Sequence, residues 1–459
     1  MAKKTHPLSP AQVQRGMTAS IWDAVLAGPF YNLIQTSGVF FTGLALAMGA
    51  DNFQIGLYAA VGPLMSGLSL VSARLMERGG GRKWHYLSTA AVQRALFFVL
   101  LAFPFLAGRL APGSLPWLLL ALLSVSTVFH YFQLTAWMSW MADMVPKERR
   151  GSFFARRSLI ATCSWMALSY AMGLYLDAHR SLGDYALVFG GAAFFSLVAL
   201  HFAAKQPDPP LVVALKRPSL RAIGKAAHAT KDIRNFIFFQ VAWGFTTSLA
   251  APFYNVYMLK NLQLDMARVT LWTVLAALLS MVSTPWWGHV LDRAGDRVTL
   301  LFALLGACVL GCLWPFVSEA NVGWLLAFII ITGGFFQAGV GQASFNMFLG
   351  VLPEKNKTSY VAFMQAVVGI LVGFSPVLGG WLAETVKKSG GAGLPFDSVM
   401  LVIVVSAVLR LLPLLLVFSI QNRPGQGIVT MVQEYVLVNP FKLMFNLGSN
   451  FFGGEHGKK

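Results

Sequence analysis

Between two long apolar runs the chain reads Gly288-His289-Val290-Leu291-Asp292-Arg293-Ala294-Gly295-Asp296-Arg297. The flanking runs, 269–290 and 298–316, are each close to the ~20 residues that a helix needs to cross a bilayer's hydrocarbon core. Two acids and two arginines wedged between them read as a short polar turn at a membrane surface. Gly288 permits close approach of a neighbouring helix, and Gly295 permits a sharp turn. An acid near a helix end pairs with an arginine or with the positive N-terminus of a neighbouring helix. The stretch therefore predicts two consecutive membrane-spanning helices.

Composition extends that reading to the whole chain. Of 459 residues, 56% are hydrophobic and 12% charged, and the mean hydropathy is +0.63. Soluble domains carry about 25% charged residues, so a soluble globule of this size could not cover its surface. Disorder, a coiled coil and a disulfide scaffold are excluded on the same grounds. Backbone polar groups in lipid must be satisfied within the chain, which leaves helices or a closed barrel. The alternating polarity of a barrel is absent. Twelve apolar runs can be read: 21–48, 53–76, 84–106, 115–141, 158–176, 185–203, 233–259, 269–290, 298–316, 322–349, 360–383 and 396–420. The expected fold is an all-α integral membrane protein with twelve transmembrane helices.

The formal net charge of +17 would suggest nucleic acid in a soluble chain. Here it records topology. With the N-terminus inside, 27 of the 35 Lys+Arg fall on cytoplasmic segments, 6 on external loops, and two, Arg94 and Arg410, within spans. That asymmetry places both termini in the cytoplasm, and a bacterial-type cytoplasmic (inner) membrane is the expected location. No cleavable signal peptide is expected, because the first apolar run is too long and lacks a small-residue cleavage site. Asn356-Lys357-Thr358 fits a glycosylation pattern but falls on the cytoplasmic side and is read as chance.

Six runs precede and six follow the polar stretch 205–232, which opens Lys-Gln-Pro-Asp-Pro-Pro and is rich in bases. The expected organisation is a cytoplasmic N-terminus (1–20), a six-helix bundle (21–204), a basic linker along anionic headgroups (205–232), a second bundle (233–420) and a cytoplasmic tail (421–459). Weak internal repetition supports two pseudo-symmetric halves. Glu77-Arg78-Gly79-Gly80-Gly81-Arg82 precedes Asp292–Arg297 at an offset of 215, and Pro146 precedes Pro353 at an offset of 207.

Twelve spans, the six-plus-six split and these loops make the chain resemble the major facilitator superfamily of transporters, across roughly residues 21–420. Gly288-x-x-x-Asp292-Arg293-x-Gly295-Asp296-Arg297 matches that family's loop signature. The first-half copy departs from it, with Ala73 where glycine is usual, Glu77 in place of Asp and an extra glycine before Arg82. A second family-like pattern is Asp143-x-x-Pro146-x-x-x-Arg150-Gly151 between the fourth and fifth runs. The resemblance implies that these groups latch the cytoplasmic rim when the site opens outward. The gating candidates are Glu77, Arg78, Arg82, Asp143, Arg150, Gly288, Asp292, Arg293, Gly295 and Arg297. The family's Gly-Pro-rich antiporter signature is missing from the fifth run. A similar run, Gly373-Phe374-Ser375-Pro376-Val377-Leu378-Gly379-Gly380, lies in the eleventh and, with Gly369, suggests close helix packing and a bend.

Polar groups in spanning helices usually face the bundle interior. Asn32, Gln35 and Thr42 share a stripe in the first run. Ser126, His130, Gln133, Trp137 and Trp140 step along the fourth, Gln240 and Trp243 along the seventh, and Gln337, Gln342 and Asn346 along the tenth. The resemblance implies that these four spans line a central path. The substrate-binding candidates are Asn32, Gln35, His130, Gln133, Trp137, Gln240, Trp243, Gln337, Gln342 and Asn346; interhelical hydrogen bonding is the alternative for each. A mixed aromatic and amide lining suits a small polar or amphipathic organic solute and lacks the carboxylate cluster that a hard cation needs. His130 and Asp23, read as lying near the cytoplasmic start of the first span, are the candidates for proton coupling. Arg94 and Arg410 are the buried cations, with snorkelling as the alternative for Arg94.

The expected function is a secondary active transporter working by alternating access, driven by an ion or solute gradient since the chain has no Gly-x-x-x-x-Gly-Lys-Ser/Thr loop. Its partners are a small-molecule substrate, a coupling ion, with H+ the candidate, and the lipid bilayer; nucleic acid is excluded. The alternative is a non-transporting relative acting as an assembly factor or receptor. No convergent catalytic set is present, so an enzyme is not expected, nor is a cofactor or a metal. Cys163, Cys308 and Cys312 read as packing residues. The tail reads as an interfacial segment, or as a docking site for a protein partner.

Overall fold

A computed structural model describes residues 8–79, 81–146, 149–209, 220–353, 357–390 and 396–420. The C-terminal tail, with its interfacial or docking role, lies outside the described residues, as do the middle of the linker and the side chains of Glu77 and Arg78. Every regular element among the described residues is helical. In chain order they are α1 (Pro10–Leu33), α2 (Val39–Ala47), α3 (Asn52–Met76), α4 (Arg82–Leu106), α5 (Ser114–Met144), α6 (Arg150–Ala178), α7 (Leu182–Ala204), α8 (Leu220–Ala229), α9 (Lys231–Asn261), α10 (Met266–Ala294), α11 (Asp296–Phe316), α12 (Val322–Val351), α13 (Tyr360–Lys388) and α14 (Ser398–Val417).

Eleven described helices are long and apolar enough to cross a membrane. The twelfth expected span, 21–48, is not one helix. It divides at Ile34–Gly38, where Gly38 turns to extended backbone (φ −86°, ψ 158°) to start α2, and its N–H reaches back to the Gln35 carbonyl at 2.7 Å. Four consecutive small or polar residues, Gln35 to Gly38, offer the chain local alternatives to helix. At its other end α1 begins at Pro10 rather than at residue 21. Ser9 and Gln12 form a capping box there, and proline occupies the first helical position. Asp51 with Gln54 and Ser181 with Asp184 cap α3 and α7 in the same way.

The described chain falls into two compact units. Unit 1 comprises Met1–Arg217, Ser248–Thr270 and Met364–Val399; unit 2 comprises Pro218–Thr247, Leu271–Phe363 and Met400–Lys459.

In unit 1, α1 packs on α6 and α7, and α4 packs on α5 and α7. A core gathers around fully buried Trp140, with Met76, Tyr86, Ala136, Met144, Phe153 and Ala203, and the indole Nε1 donates to the Pro207 carbonyl at 2.8 Å. The glycine-rich run of α13 packs closely on α3, as its composition suggests. A Cβ on Gly56 would stand 2.3 Å from the Pro376 carbonyl oxygen, and one on Gly380 would stand 2.5 Å from that of Asn52. The Asp177 carboxylate, near the end of α6, accepts the backbone N–H groups of Met266 and Ala267 at 2.7 and 2.8 Å. These donors open α10 and have no partner inside their own helix.

In unit 2, α11 packs on α12. Trp287 is fully buried, with the rings of Phe302, Phe335 and Phe336 beside it and Gly339 close against its indole. Its Nε1 donates to the Phe335 carbonyl at 2.8 Å.

Candidate functional site

A cavity of about 300 Å³ lies inside unit 1, lined by α1, α4, α5 and α6. Ala24, Ala27, Gly28, Leu134 and Ala161 give it apolar walls; Asp23, Tyr31, Tyr86, His130, Gln133, Trp137 and Arg157 supply the polar groups. Its size is at the small end of ligand pockets, which run from about 300 to 1,000 Å³.

Its floor is a polar network, in which only Asp23 Oδ1 and Arg94 Nε lack a hydrogen-bond partner among the described residues. Asp23 is 3% exposed and Arg94 is wholly buried, with Oδ1 and Nη2 4.0 Å apart. The Tyr86 hydroxyl donates to Asp23 Oδ2 at 3.4 Å. Arg94 also donates to the Ser196 carbonyl and to the hydroxyls of Tyr31 and Tyr86. Tyr31 donates to Gln133 Oε1 at 3.1 Å, and the Gln133 amide donates to Gln93. A buried charge is tolerable only when paired and hydrogen-bonded, and this network supplies both. Arg94 therefore does not snorkel. Asp23 sits mid-way along α1, two residues after the apolar run begins, because α1 starts upstream of that run at Pro10.

The cavity wall carries a second arginine. Arg157 Nε donates to the Ser20 carbonyl and hydroxyl at 3.2 and 3.0 Å, and its guanidinium carbon lies 4.7 Å from the centre of a Trp137 ring, within cation–π range. Trp137 Nε1 and His130 Nδ1 are buried without a hydrogen-bond partner among the described residues.

Of the expected substrate-binding residues, His130, Gln133 and Trp137 line this cavity together with Asp23. Asn32 accepts from Ser169 Oγ at 3.0 Å, an interhelical bond. Gln35 falls in the break after α1 and is exposed, so the stripe it was expected to share with Asn32 and Thr42 is interrupted. Gln240, Trp243, Gln337, Gln342 and Asn346 belong to unit 2. There Gln342 donates to the Thr284 carbonyl at 3.0 Å and Asn346 to Asp296 at 2.7 Å, while Gln337 is exposed. Arg410 stands at the junction before the last short helix, Leu411–Val417, and is 8% exposed.

Among the gating candidates, Arg82 is buried. It pairs with Asp143 and donates to the Ser139 and Pro209 carbonyls at 2.9 and 2.7 Å. Arg150 donates to the Val145 carbonyl at 3.1 Å and to that of Ala142. In unit 2, Gly295 adopts φ +81°, which favours glycine, and precedes α11; Gly288 lies near Gln342. Arg297 donates to the carbonyls of Phe418 and Ile420, and Asp292 and Arg293 are exposed.

Arg157 and the tyrosine pair were not among the sequence candidates. Arg157 immediately precedes the apolar run 158–176 and counts as a loop base until α6 is seen to start at Arg150. Tyr31 and Tyr86 each stand near a buried ionisable group, and that proximity is tertiary.

Comparison with known proteins supports the same architecture. The sequence model of the Major Facilitator Superfamily matches residues 236–451. That match spans most of the second half of the chain, just under half of its length. Among curated superfamily relatives, the class H tetracycline resistance protein of Pasteurella multocida is 32% identical over 110 residues, 24% of this chain and 26% of that protein. The multidrug resistance protein MdtG of Dickeya zeae is 29% identical over 159 residues, 32% of this chain and 37% of that protein. The chain thus matches between about a quarter and a little over a third of the length of these relatives. A solved structure of a variant of the nucleoside transporter NupG superposes with a TM-score of 0.69 at 13% identity, covering 89% of this chain and 99% of that one. A D-xylose–proton symporter gives 0.61 at 15% identity, covering 88% and 97%. The superfamily's fold is that of multi-pass membrane transporters.

Proposed function

We propose that this chain is a secondary transporter moving a small amphipathic organic solute across the cytoplasmic membrane by alternating access. Its two six-helix halves, 21–204 and 233–420, are joined by a cytoplasmic linker, and both termini are cytoplasmic. The observation that carries the reading is the cavity in unit 1: apolar walls around a buried network of ionisable and polar groups, within a transporter fold. Such a network is costly to keep in a purely structural bundle.

In this reading His130, Gln133 and Trp137 contact the solute, with Asp23 and Arg94 holding the floor beneath it. His130 is the coupling group, exchanging a proton when the solute binds. The Asp177 carboxylate on the opening of α10, with Arg180 3.3 Å from Asp265, acts as an external clasp that must release for the site to face outward. Arg82, Asp143 and Arg150, and the Gly288–Arg297 loop, are the counterpart on the cytoplasmic side.

Reconstituted into liposomes, the protein is expected to exchange internal for external solute. His130→Ala and Gln133→Ala are expected to cut that exchange by about tenfold or more, the typical scale for losing a general acid–base or a charge-linked hydrogen bond. Monodispersity in detergent reports whether the variants still fold. Full exchange in both variants would remove these residues from the site.

A further inference from the structure

We propose that the unit 1 cavity takes a small organic monoanion, with its acidic head on Arg157 and its apolar body against Ala24, Ala27, Leu134 and Ala161. This rests on the transporter reading above and specifies its substrate class.

The inference comes from a charge and donor balance. Asp23 and Arg94 form one ion pair, closed further by Tyr86, so they cancel. Arg157 is a second cation on the same cavity; Asp23 attracts it as well as Arg94, so one carboxylate is shared between two guanidinium groups. Its Nε is anchored on Ser20 and its plane rests on Trp137. A guanidinium fixed this way keeps its terminal N–H fork for a planar acceptor pair. Two arginines against one carboxylate leave the cavity a net positive charge among apolar walls, where an excess charge is expensive.

The hydrogen-bond inventory points the same way. Trp137 Nε1 is a donor only, and it is buried without a partner. His130 Nδ1 is likewise buried and unpartnered. Buried polar atoms are normally satisfied; an oxyanion held by Arg157 offers an acceptor to Trp137 Nε1, and to His130 Nδ1 in the tautomer that carries its proton there. A cationic solute would find one open acceptor, Asp23 Oδ1, but both Arg94, 4.0 Å from that atom, and Arg157 on the cavity wall would repel it. A neutral solute would leave the charge uncompensated.

Three probes with one body and three heads separate these outcomes: 3-phenylpropionate, 3-phenylpropionamide and 3-phenylpropylamine. Binding to the purified full-length protein is measured by calorimetry and thermal shift. The carboxylate is expected to bind about tenfold or more tighter than the amide, the usual worth of a charge-assisted bond, and the amine least. Arg157→Gln is expected to bring the carboxylate down to the amide's affinity while leaving the amide unchanged; Trp137→Phe, which keeps the ring and removes the donor, is expected to weaken the carboxylate. Equal binding of carboxylate and amide, preference for the amine, or no carboxylate binding up to about 10 mM overturns the proposal. Counterflow of 3-phenylpropionate in proteoliposomes is read separately. Carboxylate-selective binding without counterflow counts against the transporter reading and leaves the anion site standing.

Discussion

The buried pair Asp23–Arg94 shows what a single residue can and cannot announce. Arg94 declares itself in the sequence as a cation inside an apolar run and Asp23 as an acid near the edge of another, but nothing in their order announces that they pair. Removing one member leaves the other charge buried alone, which costs about 3–5 kcal/mol. Arg94→Met is therefore expected to lower the thermal midpoint in detergent sharply, and the double variant Asp23→Asn/Arg94→Met to recover most of the loss. A single variant as stable as the double would mean that the two charges are not coupled. Arg157 was illegible for a related reason. A base at the start of an apolar run reads as interfacial, and only the extra turns of α6 before residue 158 carry it into the protein. His130, Gln133 and Trp137 were legible because steps of three and four on one helix place side chains on one face whatever the tertiary structure.

At the scale of elements, apolar length fixed most helices, and local chemistry fixed their ends. Capping boxes at Ser9, Asp51 and Ser181 are present in the residue order itself. The break between α1 and α2 was not recovered, since hydropathy averages over the four residues Gln35–Gly38. The seam between α3 and α13 was half legible: glycine spacing suggested a close approach, and the neighbour's identity came from the fold. At Gly56 and Gly380 the space for a side chain is already filled by backbone. Gly56→Val and Gly380→Val are each expected to destabilise by about 1–3 kcal/mol, the cost of overpacking. Gly62→Ala, in open space on the same helix, is expected to be neutral or slightly stabilising, by up to about 1 kcal/mol. Thermal unfolding of the three variants side by side checks the contrast, and equal losses at all three sites would rule out the packing explanation.

At the scale of the molecule, the external clasp carries the test of alternating access. Asp177 holds two N–H groups at the opening of α10, which also meet the positive end of that helix's dipole. Asp177→Ala removes both bonds. In a background without the native cysteines, a cysteine at position 46, beside the clasp in a pocket lined by Leu46, Asp177 and Arg180, is expected to label several-fold faster with an external thiol reagent, given about 1–2 kcal/mol of lost charge-assisted bonding. Unchanged labelling would mean that the clasp does not hold this face.

The sequence alone determined the class of protein, the membrane as its solvent and the superfamily it resembles. Those follow from composition, from the length of apolar runs and from loop motifs, all of which are local or additive along the chain. The tertiary structure decided which charges share a cavity: Asp23, Arg94 and Arg157 come from three different helices, and electrostatic energy depends on their separation in space rather than on their order in the chain. That is why the fold was legible in the sequence and the chemistry of the cavity was not.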